Sequence, residues 1–319
     1  MRIVVTDCDH DNMLPEQSVA LQYGVDLIVS QCRTEEDVIA AAVGAAGLVV
    51  QYAPITRSVL SALPDLRAVG RYGVGVDTID IKAATDSKVA VCNVPDYGTE
   101  DVSDHAVALA LSVSRATARL DRQMRNGGYD YSVARPLYRT KNQVFGVLGM
   151  GRIGLATARK ASGIGFDVIG FDTQVQPGET REGILAVGLA EVLSRADIIS
   201  IHMPLTSDTR HFLSHETLGQ MKSGSIIINT SRGGIIDTNA LSEAISSGKI
   251  GGAGLDVFEE EPVPRTSPLF KLENVVLTPH IAWYSEESFG ELKTRAIENV
   301  VAALSGKMPR NILNPEVLS

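Results

Sequence analysis

Cysteine is scarce in this chain of 319 residues: there are three, Cys8, Cys32 and Cys92, odd in number and widely separated. That spacing excludes a disulfide framework and offers no ligand cluster for a metal, so no metal is expected and the thiols read as reduced. Basic residues are also in deficit, with 29 Lys and Arg against 38 Asp and Glu, a net charge of −9. A nucleic-acid surface wants a basic stripe, so no nucleic-acid partner is expected. Small anionic substrates are not excluded, because a pocket can be locally positive on an acidic protein. No apolar run reaches the length of a membrane span. The chain opens on the strand-like Ile3-Val4-Val5 and not on a basic, then apolar, leader. No membrane association is expected, and a cytoplasmic location is. Internal repeats at solenoid period and low-complexity tracts are absent as well. Tryptophan occurs once, at Trp283.

What is present is ordinary globular composition, 44% hydrophobic and 21% charged, at a length that fits two domains. The most informative stretch is Val144-Phe-Gly-Val-Leu-Gly149-Met-Gly151-Arg152-Ile153-Gly154. A short apolar strand runs into G-x-G-x-x-G, and a helix-like segment follows. The first glycine permits the tight turn, the second lets backbone approach a pyrophosphate, and the third lets helix pack closely on strand. The start of the helix then offers N–H groups and a positive dipole end to phosphate. The next apolar run ends at Asp172, 23 residues past Gly149. A carboxylate there accepts both ribose hydroxyls and repels a 2′-phosphate, so the expected cofactor is NAD(H) and not NADP(H).

Upstream of residue 98, strand candidates Ile3–Thr6, Leu27–Val29, Gly47–Val50, Ala68–Arg71 and Val89–Cys92 alternate with helix-like segments. From Val144 a second series runs through Val168–Phe171, Ile198–Ile201, Ser225–Asn229, Gly252–Leu255 and Val275–Leu277. Alternation of this kind implies parallel, doubly wound sheets. The expected fold is α/β with two such domains: a Rossmann-type cofactor domain of six strands over 99–286, and a smaller flavodoxin-like substrate domain. The latter comprises 1–98 and 287–319, with a final helix from about Glu286 to Leu304 crossing back to close it. Between the two series, one long helix is expected from Thr99 to about Arg125. Tyr129–Lys141 reads as an aperiodic arm that lies either on a second subunit or on the surface.

Three ionisable residues stand just after strands of the second series: Arg232, Glu261 and His280. In open α/β sheets the ligand lies beyond the carboxyl ends of the strands, so all three can face one cleft. Moving a hydride to or from the carbon of a hydroxy acid requires a proton to move at its oxygen. It also requires a cation that holds the carboxylate and polarises the carbonyl. An imidazole suits the first task, and a guanidinium fork the second. A carboxylate beside an imidazole orients it and favours its protonated form. His202 also ends a strand and is an alternative base.

Five segments now carry a resemblance. They are Arg71-Tyr-Gly-Val-Gly-Val-Asp77, the Gly149–Gly154 fingerprint, Ser231-Arg232-Gly-Gly-Ile-Ile-Asp237, Gly254-Leu-Asp256-Val-Phe-Glu-Glu-Glu261-Pro262 and Thr278-Pro-His280. With them the chain resembles the D-isomer-specific 2-hydroxyacid dehydrogenases along nearly its whole length. Asn93–Tyr97 and His280–Glu286 are similar to the branch holding the C-terminal-binding-protein corepressors. The resemblance implies that Arg232 binds and polarises the substrate, that His280 is the acid/base and that Glu261 is its partner. It further implies a homodimer built around the cofactor domain. By the same likeness Arg71, Gly73 and Val74 contact the substrate carboxylate, Thr99 lies near the nicotinamide ribose, and His202, Pro204 and Thr209 line the adenosine side. Thr230 joins the cofactor set, and Asp256 meets the carboxamide.

The expected activity is NAD(H)-dependent, reversible reduction of a small 2-keto acid to the D-2-hydroxy acid. Tyr52, Tyr72 and Trp283 read as a pocket wall that favours an acid bulkier than glyoxylate; the alternative for Trp283 is ordinary packing. Two rival readings are an NAD(H)-sensing corepressor with little activity, and an enzyme oxidising another small anion such as formate. Formate enzymes of this pattern carry Gln where Glu261 stands, which counts against the last.

Overall fold

The computed structural model describes residues 1–9 and 12–318. It divides into two compact units, Met1–Gly98 with Ser285–Ser319, and Thr99–Tyr284.

The first unit is built on five parallel strands: β1 (Arg2–Val5), β2 (Asp26–Val29), β3 (Gly47–Val50), β4 (Ala68–Arg71) and β5 (Ala90–Cys92). Their order is β2-β1-β3-β4-β5, the flavodoxin-like arrangement. The connecting helices are α1 (Leu14–Tyr23), α2 (Glu35–Ala41), α3 (Arg57–Ala62) and α4 (Ile81–Asp86). Local chemistry sets their starts. Thr34 and Asp37 exchange side-chain and backbone bonds in a capping box at α2, and Asp80 accepts the Ala83 N–H at α4. Val4, Leu48, Val50, Val69 and Val91 form the buried layer beneath.

The last helix of the chain, Glu286–Leu304, belongs to this unit and packs on β3 and β4. Two glycines permit the approach: a Cβ at Gly47 or Gly70 would stand 2.6 Å from Val300. The same helix buries Lys293 completely against Glu16, Nζ to Oε1 3.0 Å. Tyr72 donates its hydroxyl to that carboxylate at 2.6 Å. Burial, and then the Glu16 charge, push the Tyr72 phenol well above its ordinary pKa.

The second unit opens with α5 (Thr99–Ser114) and α6 (Thr117–Arg125), and not with the single helix expected. The break falls at Ala116, whose φ of 55° is left-handed and cannot continue a helix. The sheet has eight strands, two more than expected: β6 (Val144–Leu148), β7 (Asp167–Phe171), β8 (Thr180–Arg181), β9 (Ile184–Ala186), β10 (Ile198–Ile201), β11 (Ser225–Asn229), β12 (Ile250–Leu255) and β13 (Val275–Leu277). Their order is β13-β12-β11-β10-β6-β7-β9-β8. The six expected strands are all parallel; the additions are a small edge hairpin turning at Glu182 and Gly183, both with positive φ. Helices α7 (Arg152–Ile164), α8 (Leu189–Arg195), α9 (His215–Gln220) and α10 (Thr238–Ser246) complete it, so the closing helix of the chain is α11. Leu148, Ile199, Ile201, Ile227, Ala253 and Leu255 form the sheet core.

All three cysteines are buried. Burial raises the Cys92 thiol to about 12, which leaves it protonated and inert. Among the described residues no helix is long and apolar enough to cross a membrane, and no group of acidic, His or Cys side chains is placed to hold a metal.

Candidate active site

The glycine turn leads from β6 into α7. Gly149 has a φ of 96°, and a Cβ on Gly154 would stand 1.9 Å from the Gly149 carbonyl oxygen, so side chains are excluded at both. Gly151 is the N-cap of α7 and supplies no side-chain cap, leaving the first N–H groups at Arg152, Ile153 and Gly154 for a ligand. A Cβ at Gly151 would meet nothing within 4 Å, so the space above the helix start is open. This cradle fits a pyrophosphate. Asp172 stands at the end of β7. Its Oδ2 accepts the Met150 N–H at 2.8 Å and its Oδ1 the Gln174 N–H at 2.9 Å. The carboxylate therefore also splints the glycine turn. Thr230, one residue past β11, has a buried hydroxyl oxygen with no hydrogen-bond partner among the described residues. An orphaned buried donor of that kind fits a cofactor contact.

The other cofactor candidates are placed less simply. Thr209 donates to the Pro204 carbonyl at 2.7 Å and accepts the Thr206 N–H at 2.7 Å, closing its own loop. The His202 Nε2 lies 2.8 Å from the Ser200 hydroxyl. Burial pushes this imidazole down to about 3, so it is neutral near pH 7 and cannot be the protonated acid. Thr99 is the first residue of α5. Asp256 is fully buried and its carboxylate is already engaged: Oδ1 accepts the Thr278 hydroxyl at 2.6 Å and the Ile281 N–H at 3.0 Å, and Oδ2 the Ala282 N–H at 2.9 Å. Its strongest partners are thus the chain around His280.

The three ionisable residues come together. His280 Nδ1 lies 2.7 Å from Glu261 Oε2. Glu261 Oε1 accepts the Phe258 N–H at 2.9 Å, which fixes the carboxylate on its own loop. Burial raises the Glu261 pKa, but the His280 bond and charge, the Phe258 N–H and the Arg232 charge outweigh it, and the net shift is downward. Arg232 is therefore near enough to act electrostatically on the same carboxylate. The two loops also touch. A Cβ on Gly233 would fall 1.8 Å from the Phe258 carbonyl carbon, so only glycine lets the Arg232 loop lie against the Glu261 loop. Behind it, Asn229 Nδ2 donates to the Arg232 carbonyl at 2.9 Å, and its Oδ1 accepts from the Ser231 N–H at 3.0 Å. Asn229, Gly233 and Phe258 were not anticipated from sequence; the glycine in Ser231-Arg232-Gly233 was the one available signal.

Trp283 donates its indole N–H to the His280 carbonyl at 3.0 Å. It braces the histidine loop. In the other unit Arg71 ends β4 and its guanidinium folds over Gly73, where a Cβ would be 1.8 Å from Nη1. Val74 is exposed, and Tyr52 is exposed with its N–H held by the Asp7 carboxylate. Tyr72 corrects the expected pocket wall: it is 2% exposed and hydrogen-bonded to Glu16, so it belongs to the core.

A family model for the NAD binding domain of D-isomer specific 2-hydroxyacid dehydrogenases matches residues 107–282, a span that includes the glycine turn, Arg232, Glu261 and His280. The chain belongs to this family. It is 40% identical over 269 residues to a glyoxylate reductase of Korarchaeum cryptofilum, covering 83% of this chain and 81% of the relative. Among solved structures, the TT0316 protein of Thermus thermophilus superposes with a TM-score of 0.89 at 32% identity, over 98% of this chain and all of the other. D-Lactate dehydrogenase of Aquifex aeolicus, solved with NAD and lactic acid, superposes with a TM-score of 0.85 at 27% identity, over 98% and 99%. The protein is an NAD-dependent oxidoreductase of 2-hydroxy acids.

Proposed function

We propose that this enzyme reversibly reduces a small 2-keto acid to the D-2-hydroxy acid, with His280 as acid/base, Glu261 as its partner and Arg232 as the substrate-binding cation. The observation that carries the proposal is the 2.7 Å contact of His280 Nδ1 with a Glu261 carboxylate that also feels Arg232. An ionised Glu261 can only accept, so Nδ1 bears the hydrogen and Nε2 is the atom that exchanges a proton with the substrate oxygen. Arg232 grips the carboxylate and draws charge toward the carbonyl oxygen as it becomes an alkoxide. NAD(H), when bound, supplies or takes the hydride; the α7 N-terminus, Asp172 and Thr230 would hold it.

We assign Arg71, Gly73, Val74, Tyr52 and Trp283 as substrate contacts on the sequence alone. Thr99, His202, Pro204, Thr209 and Asp256 are assigned to the surroundings of the cofactor. With Tyr72 in the core, the case for a bulky substrate loses one of its three residues. The glyoxylate reductase likeness supports a two-carbon acid, and the D-lactate dehydrogenase likeness a three-carbon one. A homodimer is supported by the arm after α6, where Tyr129, Tyr131 and Tyr138 are 92%, 73% and 62% exposed. A panel of 2-keto acids followed by NADH absorbance tests the activity. Turnover of glyoxylate and its near homologues is expected; tight NADH binding without turnover of any acid would overturn the proposal.

A further inference from the structure

His280 has a φ of 54°, the left-handed region that a residue with a Cβ enters only when its surroundings hold it there. What holds it is a chain of side chains that starts on a different element. The His280 N–H donates to the Asp256 carbonyl at 2.8 Å, and the next two N–H groups, Ile281 and Ala282, donate to the Asp256 carboxylate. That carboxylate is reached by the Thr278 hydroxyl at 2.6 Å, and the same hydroxyl oxygen lies 2.9 Å from His105 Nε2 on α5. A threonine has one hydroxyl hydrogen. Asp256 takes it, so the oxygen faces His105 as an acceptor and His105 Nε2 must carry a hydrogen. The direction of donation is thus settled along the line: His105 to Thr278, Thr278 to Asp256, with the carboxylate receiving the loop of His280.

We propose that His105 and Thr278 are positioning residues for the acid/base: by orienting the Asp256 carboxylate they hold His280 in its left-handed backbone and so aim its Nε2. The inference rests on His280 being the acid/base. Neither residue touches Arg232, the glycine turn or Asp172 in any contact described above. Their loss should therefore leave in place the cation for the substrate carboxylate and the pyrophosphate and ribose contacts of the cofactor, with any effect through Asp256 on NADH affinity small. A general acid contributes about 10²–10⁴ in rate, and a displacement of about 1 Å can remove some 10² of it.

The test compares Thr278→Val, which keeps shape and removes the hydroxyl, with Thr278→Ser, which keeps the hydroxyl. His105→Phe and His105→Gln form a second pair, since the Gln amide preserves a donor near Nε2. For each, kcat, KM, NADH affinity, melting temperature and the solvent deuterium isotope effect are measured on the full chain. Val and Phe should lower kcat about 10- to 100-fold and raise the solvent isotope effect as proton transfer becomes limiting, with NADH affinity and KM within about threefold of the parent. Ser and Gln should recover most of the loss. Parental kcat in Thr278→Val, or no recovery with Ser, overturns the inference. Failure of the functional reading looks different: His280→Ala would then keep its activity. If His280→Ala is inactive while Thr278→Val is unaffected, only the positioning role falls.

Discussion

Glu261 Oε2 lies 2.7 Å from His280 Nδ1 while its other oxygen takes the Phe258 N–H, so one carboxylate ties the histidine to the loop after β12. Nineteen residues separate the pair in sequence. Cofactor-domain topology joins them by setting β12 and β13 side by side, so that the loops after both strands open at the same sheet end.

Glu261→Gln is expected to lower kcat/KM by roughly 10- to 100-fold, within the range of general acid–base help. The amide can still accept at Nδ1 but carries no charge to stabilise an imidazolium. Its stability effect has a sign. The Glu261 pKa is depressed in the folded state, so its stabilisation is present above the unfolded carboxylate value of about 4.3 and is lost as pH falls through the folded one. Melting curves of parent and variant should therefore converge below about pH 4. A constant gap down to pH 3 would show that the carboxylate's charge is not what stabilises the loop.

Arg232→Lys should lose roughly 10- to 100-fold in kcat/KM, because a single ammonium keeps only one of the two charge-assisted bonds, each about 1.5–3 kcal/mol, that the fork makes. NADH affinity, read by fluorescence titration, should change little. Added guanidinium should restore part of the activity of Arg232→Ala. Equal loss of NADH binding would mean that the arginine serves the cofactor instead.

These residues were legible because each follows an apolar strand, and chain order plus strand ends predicts a shared edge. The glycine turn was legible for the same reason. Other features were not. The β8–β9 hairpin is too short for period-2 alternation to register. The break at Ala116 depends on one residue's left-handed backbone in a sequence that otherwise reads as helix. Tyr72 reads as pocket wall in the sequence because its partner, Glu16, is 56 residues away, and no local pattern marks a buried phenol–carboxylate contact. The family likeness places Asp256 only at the carboxamide, whereas its hydrogen bonds to residues 278, 281 and 282 exist only once β12 and β13 pair.

His202 yields a pH prediction. Burial lowers it to about 3, against about 6.5 in the unfolded chain. Below pH 6.5 the unfolded state takes a proton that the folded state refuses, so stability falls as pH falls. The loss approaches about 1.4 kcal/mol per pH unit until the folded value is reached. In His202→Gln, which keeps a polar atom near Ser200, that component disappears. Denaturant titrations of the cofactor-free protein at pH 7.5, 6 and 5 should show the parent losing ground to the variant at each step. Parallel losses in both proteins would mean that His202 protonates in the folded state.

Asp172 makes two contributions that a pair of substitutions can separate. We propose that its charge selects against a 2′-phosphate; its Oδ2 splints the Met150 N–H inside the glycine turn. Asp172→Ala removes both, so NADPH should be admitted while NADH binding weakens. Asp172→Asn keeps an oxygen acceptor for Met150 and removes the charge together with the acceptor for the Gln174 N–H. The ratio of kcat/KM for NADPH to that for NADH should rise at least about tenfold in both variants, and NADH affinity should fall more with Asp172→Ala than with Asp172→Asn. A ratio unchanged in both would assign cofactor choice to another residue. Equal weakening of NADH in both would show that the charge, and not the Met150 splint, sets affinity, since Asp172→Asn keeps an acceptor for the Met150 N–H.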